Sequence, residues 1–112
     1  MNIYDNNKKL IGMVNYKICK LFFARKKDNS FVINTKNFSG VKTIKKINLK
    51  TSLHLNVNIL CNEGKMKLVA IKEKEIILLA ENQNTEIELL SGVYRLRIVG
   101  DNASGNCIIT KK

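Results

Sequence analysis

The sequence predicts an all-β chain: a single antiparallel β-sandwich of about eight or nine short strands, with a small β-barrel as the alternative. Three observations carry this. Apolar and polar residues alternate with a period of two in several segments. Turn-forming residues recur roughly every 8–12 residues between them. An apolar fraction of 45% gives a 112-residue chain enough material for one core. The domain is therefore residues 1–112, with residues 1–10 expected as a flexible N-terminal extension.

In chain order, Val14, Tyr16 and Ile18 alternate with Asn15 and Lys17 and favour a strand. The rival is a helical stripe of Leu10, Val14, Ile18, Leu21 and Phe22, but Ile11, Tyr16 and Phe23 fall off it. Residues 25–30 read as a charged loop, 31–33 as a short strand, 34–40 as a loop and 41–49 as a strand. Residues 53–59 alternate most cleanly, with Leu53, Leu55, Val57 and Ile59 facing inward. Gly64 breaks the pattern, and residues 66–72 resume it. Glu73-Lys74 reads as a hairpin tip, and residues 76–80 as a strand buried on both faces. After a turn at residues 81–84, Ile87 and Leu89 alternate with Glu86 and Glu88. Ser91-Gly92 is a turn, Tyr94, Leu96 and Ile98 alternate with Arg95 and Arg97, residues 100–105 are a polar loop, and residues 107–110 close the chain as a strand.

The pattern Leu-x-x-Gly-x-Tyr-x-Leu-x-Ile-x-Gly within residues 86–105 resembles the closing hairpin of uncharacterised small bacterial β-sandwich proteins of immunoglobulin-like or jelly-roll type. The resemblance implies a turn at Gly92, with Tyr94, Leu96 and Ile98 facing a core, and it brings no catalytic residue.

Lys, Asn and Ile make up 46 of the 112 residues, the composition of AT-rich coding sequence. Drift of that kind would spread the charge evenly. Instead residues 1–50 carry a net charge of +10 and residues 51–112 only +1. Such asymmetry points to an acidic partner such as nucleic acid or a membrane surface. The apolar run from Leu10 is broken by Asn15, Lys17 and Lys20, too early for a secretory leader. The three cysteines, Cys19, Cys61 and Cys107, are odd in number and widely spaced, so reduced thiols in a cytoplasmic chain are expected; export with the leader removed is the alternative. No apolar run reaches about 18 residues, so no transmembrane segment is expected.

Catalytic signatures are weak. Gly100 and Gly105 have the glycine spacing of a phosphate-binding loop, but Asn106 and Cys107 replace its cation and hydroxyl, and too few residues follow for the helix. His54 falls on the polar face of its strand and Cys61 on the apolar parity, so they point apart. The Thr-Leu-x-Thr-Cys run of sortase-type transpeptidases is missing. One His and three scattered Cys lack zinc-site spacing, and Asp5, Asp28 and Asp101 are isolated. Glu73 with Glu75, and Glu86 with Glu88, read as solvated strand faces. The chain is thus expected to be non-catalytic and free of cofactors and metals, a binding or structural module for a polyanion or a protein.

The candidate site lies in the basic half. Six of the seven aromatics fall within residues 1–38, and residues 8–27 contain no acid. Cations for phosphate and rings for base stacking are what single-stranded nucleic acid requires. The candidates are Lys17, Lys20, Arg25, Lys26 and Lys27 with Phe22 and Phe23. The bland alternative puts the rings in the core and the lysines on the outward half of the alternation. Carbohydrate recognition is disfavoured, because the chain lacks Trp and has only Tyr94 among its later aromatics.

Overall fold

A computed structural model describes residues 3–12, 16–19, 21–27 and 30–111. After a 3-10 turn (Ile3–Asp5) and a short helix α1 (Asn7–Ile11), the described chain is all β: β1 Tyr16–Ile18, β2 Leu21–Lys27, β3 Ser30–Leu49, β4 Leu53–Lys72, β5 Glu75–Glu81, β6 Asn84–Leu89 and β7 Gly92–Lys111. Every pairing is antiparallel. β7 is central, between β3 and β4. The outer edge of β3 pairs first with β2 and then with β1, and the outer edge of β4 with β6 and then β5. The sheet is open, so the closed barrel is not formed among the described residues.

Three strands have 20 residues each. A straight strand of that length would span about 66 Å, yet the longest dimension of the molecule is 37 Å. The strands must bend. Register shifts between Thr35 and Gly40 of β3 and between Cys61 and Lys65 of β4 lie level with one another across β7, and further shifts fall between Thr43 and Lys45 of β3 and between Leu68 and Val69 of β4. Asn37 and Asn102 (φ 51° each) and Gly64 (φ 69°) take the left-handed backbone that Asn and Gly tolerate best. Side chains bridge the disturbed ladder: Asn37 N–H donates to Ser104 Oγ at 3.0 Å, Asn102 N–H to Ser39 Oγ at 3.0 Å, and Thr35 Oγ1 to the Ala103 carbonyl at 3.1 Å.

This corrects the sequence reading. The breaks expected at residues 34–40, at Gly64 and at residues 100–105 are bulged bends inside continuous strands. Each such bend joins two expected strands into one, and β2, not expected as a strand, brings the described strands to seven. Of residues 25–30, expected as a loop, 25–27 belong to β2 and Ser30 opens β3, while residues 28 and 29 lie outside the described residues. Of the strand expected over residues 14–18, Tyr16–Ile18 form β1 and residues 14 and 15 lie outside the described residues; the turns at Glu73-Lys74 and Ser91 are where the pattern put them.

The bends fold the sheet back on itself. Its near half holds β2, β6 and the adjoining stretches of β3, β4 and β7; its far half holds β1, β5 and the remaining stretches. Ile33, Ile59 and Cys107 from the near half share one buried cluster with Leu68, Leu96 and Ile98 from the far half. The alternation of residues 53–59 is confirmed, with Leu55, Val57 and Ile59 buried. Gly100 and Gly105 serve packing: a Cβ at Gly100 would lie 2.5 Å from the Phe38 ring, and one at Gly105 2.1 Å from the Leu60 carbonyl oxygen. Tyr94 is buried, and its hydroxyl donates to the Leu90 carbonyl at 2.9 Å, fixing the turn before β7.

The N-terminal residues, expected as a flexible extension, pack on the sheet from the described start onward. Tyr4 and Leu10 are buried against Val41, Val69, Ile71 and Val99 on the outward side of the far half. That second cluster explains why Val69 and Ile71 are apolar on a strand face that would otherwise meet water.

Candidate functional site

The two outward faces of the folded sheet differ. The far face is covered by the N-terminal segment, and the cover is tied down by two arginines of β7. Arg97 donates to the carbonyls of Leu10 (2.7 Å) and Gly12, and Arg95 to those of Ile11 (2.5 Å) and Gly12 (3.0 Å). These carbonyls lie at and just beyond the C-terminal end of α1, where no further turn supplies N–H donors to them. Alternation puts both arginines on the face away from the inward Tyr94, Leu96 and Ile98, and Arg97 is nonetheless fully buried, because the segment lies over it.

Tyr4 anchors the other end of the cover. Its hydroxyl donates to a Glu81 carboxylate oxygen, and the ammonium groups of Lys65 and Lys67 sit 4.5 and 4.2 Å from its ring centre. Burial, then the Glu81 carboxylate, pushes the phenol far above its usual range, so it is a fixed donor and not a proton-transfer group. Asp5 lies 3.9 Å from Lys67.

The near face has no such cover among the described residues. Antiparallel partners share a face, so the register gives its rows: Phe23, Asn34, Asn106 and Leu60 in one, and Arg25, Val32, Ile108 and Asn58 in the next. Phe23 is 50% exposed and Leu60 59%. Beside the first row, at the bend, lies an open groove of about 560 Å³ lined by Asn34, Lys36, Asn37, Asn62, Glu63 and Asn106. The face is electrically polarised. Arg25 and Lys36 stand on the β2–β3 edge, while Glu86 and Glu88 stand on β6 at the opposite edge.

The candidates read from sequence separate onto two faces of β2. Phe23 and Arg25 are exposed and two residues apart, on the near face. Phe22 turns inward; its ring meets Phe38 edge-on at 5.1 Å, under the Lys42 ammonium at 4.7 Å. Lys26 lines a cleft at the open end of the fold. Lys17 and Lys27 are backbone-paired with Gly40 and Ser30, their side chains lying outside the described residues, as does all of Lys20. Asn34, Lys36, Asn106 and Leu60 were missed, because only the pairing of distant segments puts them beside Phe23.

The groups weighed for catalysis are spread apart. His54 Nε2 meets Glu88 at 2.9 Å across β4 and β6, both side chains well exposed. Cys107 is buried in the core, and burial pushes its thiol up to about 12. Cys61 is half-buried at the bend and donates from Sγ to the Glu63 carbonyl; burial raises its pKa more than its hydrogen bonds lower it. Among the described residues no group of three His, Cys, Asp or Glu side chains is placed to hold a metal, and no helix is long and apolar enough to cross a membrane.

No family model matches the sequence. No curated protein matches it either. Among solved structures, the chain is similar to a mutant of a family 29 carbohydrate-binding module, at 11% identity and a TM-score of 0.44, over 88% of this chain and 77% of that one.

Proposed function

We propose that this chain is a non-catalytic, two-layered β-sandwich that binds a single-stranded polyanion across its near face. The observation that carries the reading is the asymmetry of the outward faces. One is closed by Tyr4 and Leu10; the other leaves Leu21, Phe23 and Leu60 about half exposed beside an amide-lined groove. Apolar side chains grouped on an otherwise polar face mark interaction surfaces. Phe23 offers a ring for stacking, Arg25 and Lys36 offer phosphate contacts, and Asn34 and Asn106 can donate to or accept from base edges. The carboxylates of Glu86 and Glu88 steer a polyanion toward the β2–β3 edge. The placement of His54 and Cys107 supports the non-catalytic part of the reading.

The test is a salt titration with a fluorescein-labelled oligothymidylate. Two to three phosphate contacts give a log–log slope of about −2, since each contributes about 0.7 on single strands. Arg25→Ala flattens the slope by about 0.7, and Phe23→Ala weakens binding by about 1–3 kcal/mol at fixed salt. Glu86→Gln with Glu88→Gln strengthens binding. Lack of binding at about 50 mM salt, or insensitivity to Arg25, overturns the polyanion reading. A protein partner is the second reading, favoured by the apolar Leu21, Phe23 and Leu60.

A further inference from the structure

A second candidate site lies at the opposite end of the fold from the bends, between the two halves. Here the core does not close. Phe31, Leu55 and Ile109 of the near half and Ile44, Ile47 and Leu96 of the far half line a partly enclosed cleft of about 100 Å³. Leu53 and Ser30 also line it, together with three lysines: Lys26 of β2, Lys45 of β3 and Lys111 at the end of β7. All three are exposed, and neither the His54–Glu88 nor the Asp5–Lys67 pair engages them. No carboxylate lines the cleft among the described residues.

From this arrangement we infer a binding site for a small anionic amphiphile, a monocarboxylate with an apolar chain of about four to eight carbons. Size, wall chemistry and charge each limit the occupant. An aliphatic cavity of about 150 Å³ stays dry and holds a benzene-sized guest, so this cleft takes a chain end of about four carbons and lets the rest reach the rim. The wall is mostly apolar and offers a chain dispersion contacts; its one uncharged polar side chain, Ser30, is already engaged with Thr110 Oγ1 at 3.1 Å. Unfilled space of this kind costs stability in proportion to its volume, and an apolar chain returns the lost contacts. Three ammonium groups around the rim match one carboxylate and repel an amine of equal chain length. The strands explain why the lysines converge. Lys26 sits opposite Phe31, Lys111 opposite Leu55 and Lys45 opposite Leu96, so each rim charge stands beside a wall residue on the neighbouring strand. The cleft lies between the halves and is distinct from the outward near face, so the two proposals fail independently.

The experiment titrates the full chain with octanoate, followed by amide and methyl NMR shifts and by thermal melting. Acetate supplies the head without the chain, and octylammonium the chain with the opposite charge. Octanoate is expected to give saturable shifts at Phe31, Ile44, Ile47 and Leu55 with a Kd on the order of 1 mM, and to raise Tm. Acetate and octylammonium are expected to give none of these. Lys45→Ala combined with Lys111→Ala, both surface changes, weakens octanoate about fivefold. Ile44→Trp fills the cleft and abolishes the shifts; its unaltered melting in the absence of ligand separates blocking from unfolding, and if it fails to fold, the double lysine variant carries the test. Equal binding of octanoate and octylammonium, shifts confined to the near face, or lack of saturable shifts up to about 10 mM overturns the inference.

Discussion

Arg97 Nη1 donates to the carbonyl of Leu10 at 2.7 Å, joining residues 87 positions apart in the sequence. A fully buried guanidinium is costly unless its donors find acceptors, and here the acceptors are carbonyls at the C-terminal end of a five-residue helix. The bond explains how so short a helix persists, since isolated helices of that length are unstable in water.

Arg97→Ala therefore takes the side-chain donor from the Leu10 carbonyl and leaves the Gly12 carbonyl with Arg95 alone, under a covered face. It is expected to cost about 2–4 kcal/mol by urea denaturation. Arg97→Lys recovers only part of this, because an ammonium lacks the planar fork. Limited proteolysis should cut the N-terminal segment of both variants sooner than the parent chain.

The inward register of β4 makes Leu55→Ala a core truncation, costing about 2–5 kcal/mol. Asn58→Ala, on the exposed face of the same strand, should change stability by less than about 0.5 kcal/mol. Chemical denaturation of the pair decides the register, and equal losses would show it to be wrong.

Gly105→Ala places a methyl group against the Leu60 carbonyl oxygen and the Cys61 Cα, both backbone atoms of the neighbouring strand. Neither can rotate away, so the strands must separate at the bend. A loss of about 1–3 kcal/mol is expected, with faster amide exchange at Leu60 and Cys61.

The Cys107 thiol, held up to about 12 by burial, should resist thiol reagents at pH 8 in the native chain and react on unfolding. The pH dependence follows in sign. A thiol whose folded pKa lies above its unfolded value of about 8.5 contributes stability that is whole below that pH and is lost as pH rises toward 12. Tyr4 acts in the same direction, its phenol being raised by burial and by Glu81. Urea midpoints should thus fall progressively above about pH 9. Cys107→Ala should lessen the fall between about pH 9 and 12, even though it lowers stability at neutral pH by opening a small cavity.

The sequence by itself determined the β class, the inward set Leu55, Val57 and Ile59 of residues 53–59, the inward set Tyr94, Leu96 and Ile98, and the turns at Glu73-Lys74 and Ser91-Gly92. Each rests on a period-two pattern or a local turn preference, which act over a few neighbouring residues. Tertiary structure alone decided the rest. Asn37, Gly64 and Asn102 read locally as chain breaks, yet they become bends because the three long strands lie side by side and bulge at one level, so the ladder resumes beyond them. Arg97 falls on the face away from the inward set and is nonetheless buried, because residues 3–12 return over it. Phe22 and Phe23 read as a pair and are parted by the strand's alternation, one ring going to the core and one to the near face. The near face and the lysine-rimmed cleft join residues from β2, β3, β4 and β7. Strand pairing over such separations leaves no local trace in the sequence, since each segment's own pattern is satisfied equally well by many partners.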